Sequence, residues 1–106
     1  MAQIVWTEPA LNELDEIAEF IALDKFDAAQ KLVQSVFSRL EQLKHQPKSG
    51  RVPPELPKKS IYREVIVGPC RVFYRTDKSK IIVIYVMRSE RMLRKYILED
   101  RADLSS

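Results

Sequence analysis

Apolar residues recur along this chain with two periods, and the change of period divides it. Gln3-Ile4-Val5-Trp6 is a short apolar run compatible with a first strand. After it Leu11, Leu14, Ile17, Ala18 and Ile21 repeat at helical spacing, with acidic residues between them. Thr7 suits an N-cap, Pro9 the first turn, where its missing N–H costs nothing, and Glu8 the positive helix end. The pattern predicts a helix over 8–23. Beyond Lys25-Phe26, with Asp27 as the expected cap, Ala29, Val33, Val36, Leu40 and Leu43 form a second stripe, widened by Leu32 and Phe37. It predicts a helix over 28–45, ended by Pro47 and Gly50. The short joint between the two implies an antiparallel helical hairpin.

Residues 47–60, with four of the six prolines, carry no period and read as a surface connector. The rhythm then becomes that of strands: 61–67, 70–76 and 81–87, parted by Gly68-Pro69 and by Asp77-Lys78-Ser79-Lys80. β-Branched and aromatic residues and hairpin-length loops predict an antiparallel meander. The last strand is apolar on both faces, which makes it central. Met92 to Leu98 suits a helical turn or two, and the tail from Glu99 is expected to be loose. The order β-α-α-β-β-β predicts an α+β fold: an antiparallel sheet with the helical hairpin packed on one face. One domain over 1–98 is expected, with 99–106 as a flexible tail. Alternation in the middle strand puts Val72 and Tyr74 under the helices, and Arg71, Phe73 and Arg75 on the other, uncovered face.

Composition narrows the class. With 106 residues, 45% hydrophobic and 31% charged, the chain is globular and large enough for one core. No apolar run approaches the ~20 residues of a membrane span, and MAQIVW is not a signal peptide, so a soluble, cytoplasmic protein is expected. One cysteine, Cys70, excludes an internal disulfide. With one histidine, His45, a zinc site is not expected, and neither is any cofactor. The net charge of +3 is unevenly placed: residues 1–57 carry a net −3 and residues 58–106 a net +6. A basic C-terminal half suits an anionic partner, either nucleic acid or an acidic protein.

These elements in this order resemble the RelE/ParE superfamily, the toxins of bacterial type II toxin–antitoxin systems. The likeness runs over about residues 4–95. It rests on Trp6-Thr-Glu-Pro-Ala10, Pro47-Lys-Ser-Gly50-Arg51, Tyr62-Arg63-Glu64-Val65-Ile66-Val67-Gly68, Arg71-Val72-Phe73-Tyr74-Arg75, and Val83 through Arg91. The resemblance implies one of two activities. RelE-type members are ribosome-dependent endoribonucleases that cut mRNA, which needs cationic side chains converging on one phosphate. On that reading Arg71, Arg88, Arg91 and Tyr96 are the catalytic residues. ParE-type members bind and poison DNA gyrase without known catalysis. Glu64 stands where RelE-type enzymes place a base, and a carboxylate there would repel a phosphorane by a few kcal/mol, on the order expected for partly desolvated charges. The Tyr-Arg-Glu-hydrophobic-Val-Gly pattern is the ParE-like form, which is favoured; a non-toxic relative is a further alternative.

The implied partners are a cognate antitoxin, gyrase (alternatively ribosome and mRNA) and a toxin–antitoxin hetero-oligomer, with no membrane. Arg63, Glu64, Arg71, Arg75, Arg88, Arg91, Met92 and Leu93 are the expected binding residues. The helical hairpin and Met92-Leu93 are expected antitoxin docking surfaces. Arg71 has a structural reading too, as a sheet arginine paired with Glu64 on the neighbouring strand.

Overall fold

Residues 2–104 are described in the computed structural model. The elements are β1 (Gln3–Trp6), α1 (Glu8–Ala22), α2 (Phe26–Leu43), β2 (Tyr62–Val67), β3 (Cys70–Asp77), β4 (Lys80–Arg88) and a short α3 (Lys95–Asp100). Thr7 caps α1 as expected. Its hydroxyl accepts from the Ala10 N–H at 3.4 Å and donates to the Val83 carbonyl at 2.8 Å, so it also pins the helix to β4. The second cap differs from expectation. Lys25, not Asp27, holds the N-cap of α2, with no side-chain bond, and Asp27 lies inside the first turn, where its charge still favours the helix dipole.

The sheet order is β1-β4-β3-β2. The meander β2-β3-β4 is antiparallel as the sequence predicts, but β1 lies parallel to β4, from Gln3↔Lys80 to Trp6↔Val83, so the sheet is mixed. The reason is the path of the hairpin: it carries the chain from β1 to the far edge, and the meander returns beside its starting strand. β4 therefore lies inside the sheet, flanked by β1 and β3, which explains its apolar run.

The hairpin face is the main core. Leu14, Leu32, Val36, Leu40 and Leu43 from the helices meet Val65, Val72, Tyr74, Ile81, Val83 and Val86. Full burial of each such aliphatic side chain contributes about 1.5–3 kcal/mol. The opposite face is not open, contrary to expectation. Phe73, Ile82, Ile84, Met87, Leu93 and Leu98 form a second, smaller core there, with Leu56 of the connector packed against it. The strand β4 offers apolar residues to both faces, and exposing them is unfavourable enough to draw α3 and the connector onto the sheet.

The C-terminal segment also departs from expectation. It is not loose from Glu99: α3 continues to Asp100, and the Arg101 guanidinium bridges both Glu13 carboxylate oxygens (2.9 and 3.1 Å) and the Ile84 carbonyl (3.0 Å). Arg75 then donates to the Ala102 and Leu104 carbonyls at 3.1 and 3.4 Å. Residues 105–106 of the expected tail lie outside the described residues.

Candidate functional site

Two places gather the residues singled out by the sequence: a buried ion cluster under the connector, and a groove between β4 and α3.

The cluster centres on Arg71. Alternation along β2 and β3 puts Glu64, Arg71 and Phe73 on the second face, and Glu64 lies opposite Phe73, one diagonal step from Arg71. Arg71 Nε donates to Glu64 Oε1 at 2.6 Å and Nη2 to Oε2 at 3.2 Å. Nη1 and Nη2 also grip Glu55 at 2.8 and 2.7 Å, and Nη1 reaches the Arg91 carbonyl at 3.2 Å. All five N–H donors of the guanidinium are thereby engaged. Its Cζ lies over the Phe73 ring, 5.0 Å from the centroid, and its side chain is 6% exposed, that of Glu64 0%. Arg51 closes the cluster by donating to Glu64 Oε2 at 2.8 Å.

Arg71 and Glu55 hold each other in their ionised states. The Arg71 hydrogen bonds lower the Glu55 carboxyl to about 2, against an opposing push from burial, and the Leu93 N–H adds to the effect. The same two carboxylates raise Arg71 above its ordinary value, Glu55 most. Arg71 is thus on the non-helical face as predicted, yet covered, because the connector places Glu55 over it.

Arg75 is likewise not on an open surface: its side chain is 14% exposed under the terminal carbonyls. Its Nε has no partner in the described residues. Arg63 points to the hairpin side of the β2 edge and donates to the Gly50 and Lys48 carbonyls. Leu93 is 4% exposed and belongs to the second core, so it is not a free docking residue.

The groove is where the exposed members collect. Its volume is about 710 Å³, and Tyr85, Met87, Arg91, Met92, Arg94 and Tyr96 line it. Met92 is 80% exposed and Tyr96 half-exposed. Tyr85 stacks on Phe73 at 5.6 Å and carries Arg101 on its ring, and burial pushes its phenol up. A smaller adjoining hollow runs along β4 to Phe20 and Arg88. Arg88 lies over the Phe20 ring at 5.1 Å and 2.8 Å from Glu90, an ion contact whose Nε–H is not aligned for a hydrogen bond. Arg71 meets this stretch through the Arg91 carbonyl rather than through an Arg91 or Tyr96 side chain.

Sequence reasoning missed Glu55, Glu13 and Arg101. Glu55 had a signal, being the one acid in a basic, proline-rich connector. Arg101 had none, since its partners are 88 and 17 residues away.

Cys70 is buried, and desolvation pushes its thiol up to about 11, which makes it inert. His45 is exposed. Among the described residues no group of three or more His, Cys, Asp or Glu could hold a metal ion, and no helix is long and apolar enough to cross a membrane.

A β-α-α-β-β-β chain with a helical hairpin over one face of a mixed sheet has a RelE/ParE-like fold. The family described as ParE toxin of type II toxin-antitoxin system, parDE, matches residues 4–93, and the chain belongs to it. Ten chains of solved structures are also similar. One of them, described as the chromosomal ParDE TA system from P. aeruginosa, is 23% identical, with a TM-score of 0.68 over 83% of this chain and 96% of that one. This likeness concerns the fold. No curated protein matches.

Proposed function

We propose that the chain acts in the cytoplasm by binding DNA gyrase, without catalysis of its own, and that a cognate antitoxin neutralises it in a hetero-oligomeric complex. The observation that carries the reading is the state of Arg71. Phosphodiester cleavage needs cations free to meet a developing phosphorane. Here every donor of Arg71 is engaged, and Glu55 and Glu64 would face the incoming phosphate. Freeing the arginine means breaking a buried pair, at a cost of roughly 3–5 kcal/mol. The P. aeruginosa structure is of a ParDE system, in keeping with an antitoxin partner here.

The β4–α3 groove suits that antitoxin. It offers exposed, apolar Met92 for an anchor and Arg91 and Arg94 for an acidic segment. Arg88, Arg91 and Met92 are the binding residues on this reading, whereas Glu64, Arg71 and Arg75 hold the frame on which they stand, and Arg63 lies apart, against the Pro47–Arg51 loop.

A supercoiling assay with purified full-length chain tests the target. Gyrase should lose activity at micromolar toxin and regain it when antitoxin is added. Toeprinting on translating ribosomes should show no cleavage; A-site cuts abolished by Arg71→Ala would establish the nuclease instead.

A further inference from the structure

A second set of cations gathers around the Pro47–Arg51 loop, beside β2 and on the other side of β3 from the β4 groove. Arg39 reaches the loop from α2, both terminal nitrogens lying 3.5 Å from the Ser49 hydroxyl. Arg63 reaches it from β2, donating to the Gly50 and Lys48 carbonyls at 2.8 and 3.3 Å. Lys48 is exposed on the loop itself, and Arg51 follows with its side chain 55% exposed. Among the described residues Arg39, Lys48 and Arg63 have no carboxylate within 4.0 Å; Arg51 has Glu64, which it shares with Arg71. Arg39 and Arg63 both act on the buried Tyr74 phenol, opposing the upward push of its burial, so their charges bear on one point.

Holding like charges together is unfavourable unless something anionic compensates. The groups that position these arginines, carbonyls and a hydroxyl, orient the guanidinium planes without cancelling their charge. We infer that this loop is a contact site for the phosphodiester backbone of duplex DNA, made by Arg39, Lys48, Arg51 and Arg63.

The chemistry favours phosphates over an acidic protein. Lys48 and Ser49 are exposed and polar, and the apolar grooves that could select a peptide's side chains are lined by other residues. Forked guanidinium groups match phosphate oxygens, and a duplex presents a charge every ~1.7 Å of axis, so cations on three elements can meet successive phosphates without reading sequence. The site does not depend on which target the toxin has.

Fluorescence anisotropy with a labelled duplex of about 20 base pairs and the full-length chain tests it. Four phosphate contacts predict that Kd rises roughly a hundredfold between about 50 and about 200 mM salt. The Arg39→Gln/Lys48→Glu variant should lower the salt slope by about two contacts, while Arg91→Gln/Arg94→Gln leaves it unchanged. Ser49→Glu, a charge added on the same exposed loop, should weaken binding as well, and thermal melts that match the wild type assign either loss to the site rather than to the fold. No binding at low salt overturns the inference. Equal losses in the Arg91/Arg94 variant overturn it too, since the attraction is then diffuse, as does polyglutamate binding as tightly as the duplex.

Discussion

Arg71 owes its position to strand alternation and its chemistry to two carboxylates. Glu64 is fully buried, so removal of Arg71 leaves it with Arg51 alone, at the rim of the cluster. Arg71→Ala should therefore destabilise the chain by about 3–5 kcal/mol in urea denaturation. Arg71→Met/Glu64→Leu, which removes the buried pair and fills the space but leaves Glu55 without its cation, should recover part of that loss. Equal losses for the single and double variants would mean that packing, not charge, holds this site. Glu55 gives the pH dependence. Its folded pKa of about 2 lies below its ordinary value, 4.5, so its contribution is full above the ordinary value and is lost as pH falls toward the folded one. Stability should decline from about pH 4.5 downward, and Glu55→Gln should flatten that limb. Burial raises Glu13, Arg101 opposing, so its contribution has the opposite sign and falls above pH 4.5, before the Glu55 decline begins. The Arg71–Glu64 pair was legible from the sequence, because both partners lie on one face of adjacent strands. Glu55 stood out as the one acid of its connector, but nothing in a proline-rich segment says which sheet residue it will cover.

Turns and close approaches decide where the elements sit. The β3–β4 turn forces Lys78 to φ 56°, a left-handed conformation that a side chain disfavours. Lys78→Gly should stabilise the chain by up to about 1 kcal/mol, the relief of strain less the extra entropy of glycine. Gly50 is the reverse case. A Cβ there would lie 2.5 Å from the Tyr74 hydroxyl and 2.8 Å from the Glu64 carbonyl. The hydroxyl cannot yield, since it donates to the Pro47 carbonyl at 2.7 Å and accepts from the Gly50 N–H at 3.1 Å. Gly50→Ala should cost at least about 1–3 kcal/mol and loosen the loop from β3; a variant as stable as the wild type would show that the loop shifts freely. The helices and the meander were readable because their periods repeat over many residues. The parallel seat of β1 was not, because a four-residue strand of mixed exposure fits either direction and only the closing of the meander decides it.

The two faces of the sheet are covered by unequal means, a long hairpin on one and a connector with a six-residue helix on the other. An uncovered second face was the natural reading of the pattern, since α3 is too short to announce itself by periodicity. The hold of α3 on the sheet depends on the residues beyond Asp100. Arg101 ties α1 to β4 by meeting Glu13 and Ile84, and the Ala102 and Leu104 carbonyls accept from Arg75 Nη2. Glu13 in turn accepts from the Val86 N–H at 3.2 Å, beyond the stretch of β4 that β1 pairs. A chain ending at Asp100 loses these bonds together. It leaves Glu13 half-buried without its cation and Arg75 with only its 3.9 Å contact to Asp77, so stability should fall by about 2–4 kcal/mol. If the lost partner of Glu13 is the cause, Glu13→Gln in the shortened chain should recover part of the loss. Hydrogen exchange should report the same event locally, with faster exchange at Val86 than in β3. A shortened chain with an unchanged urea midpoint and unchanged exchange at Val86 would mean that the terminal segment rests on the sheet without securing it.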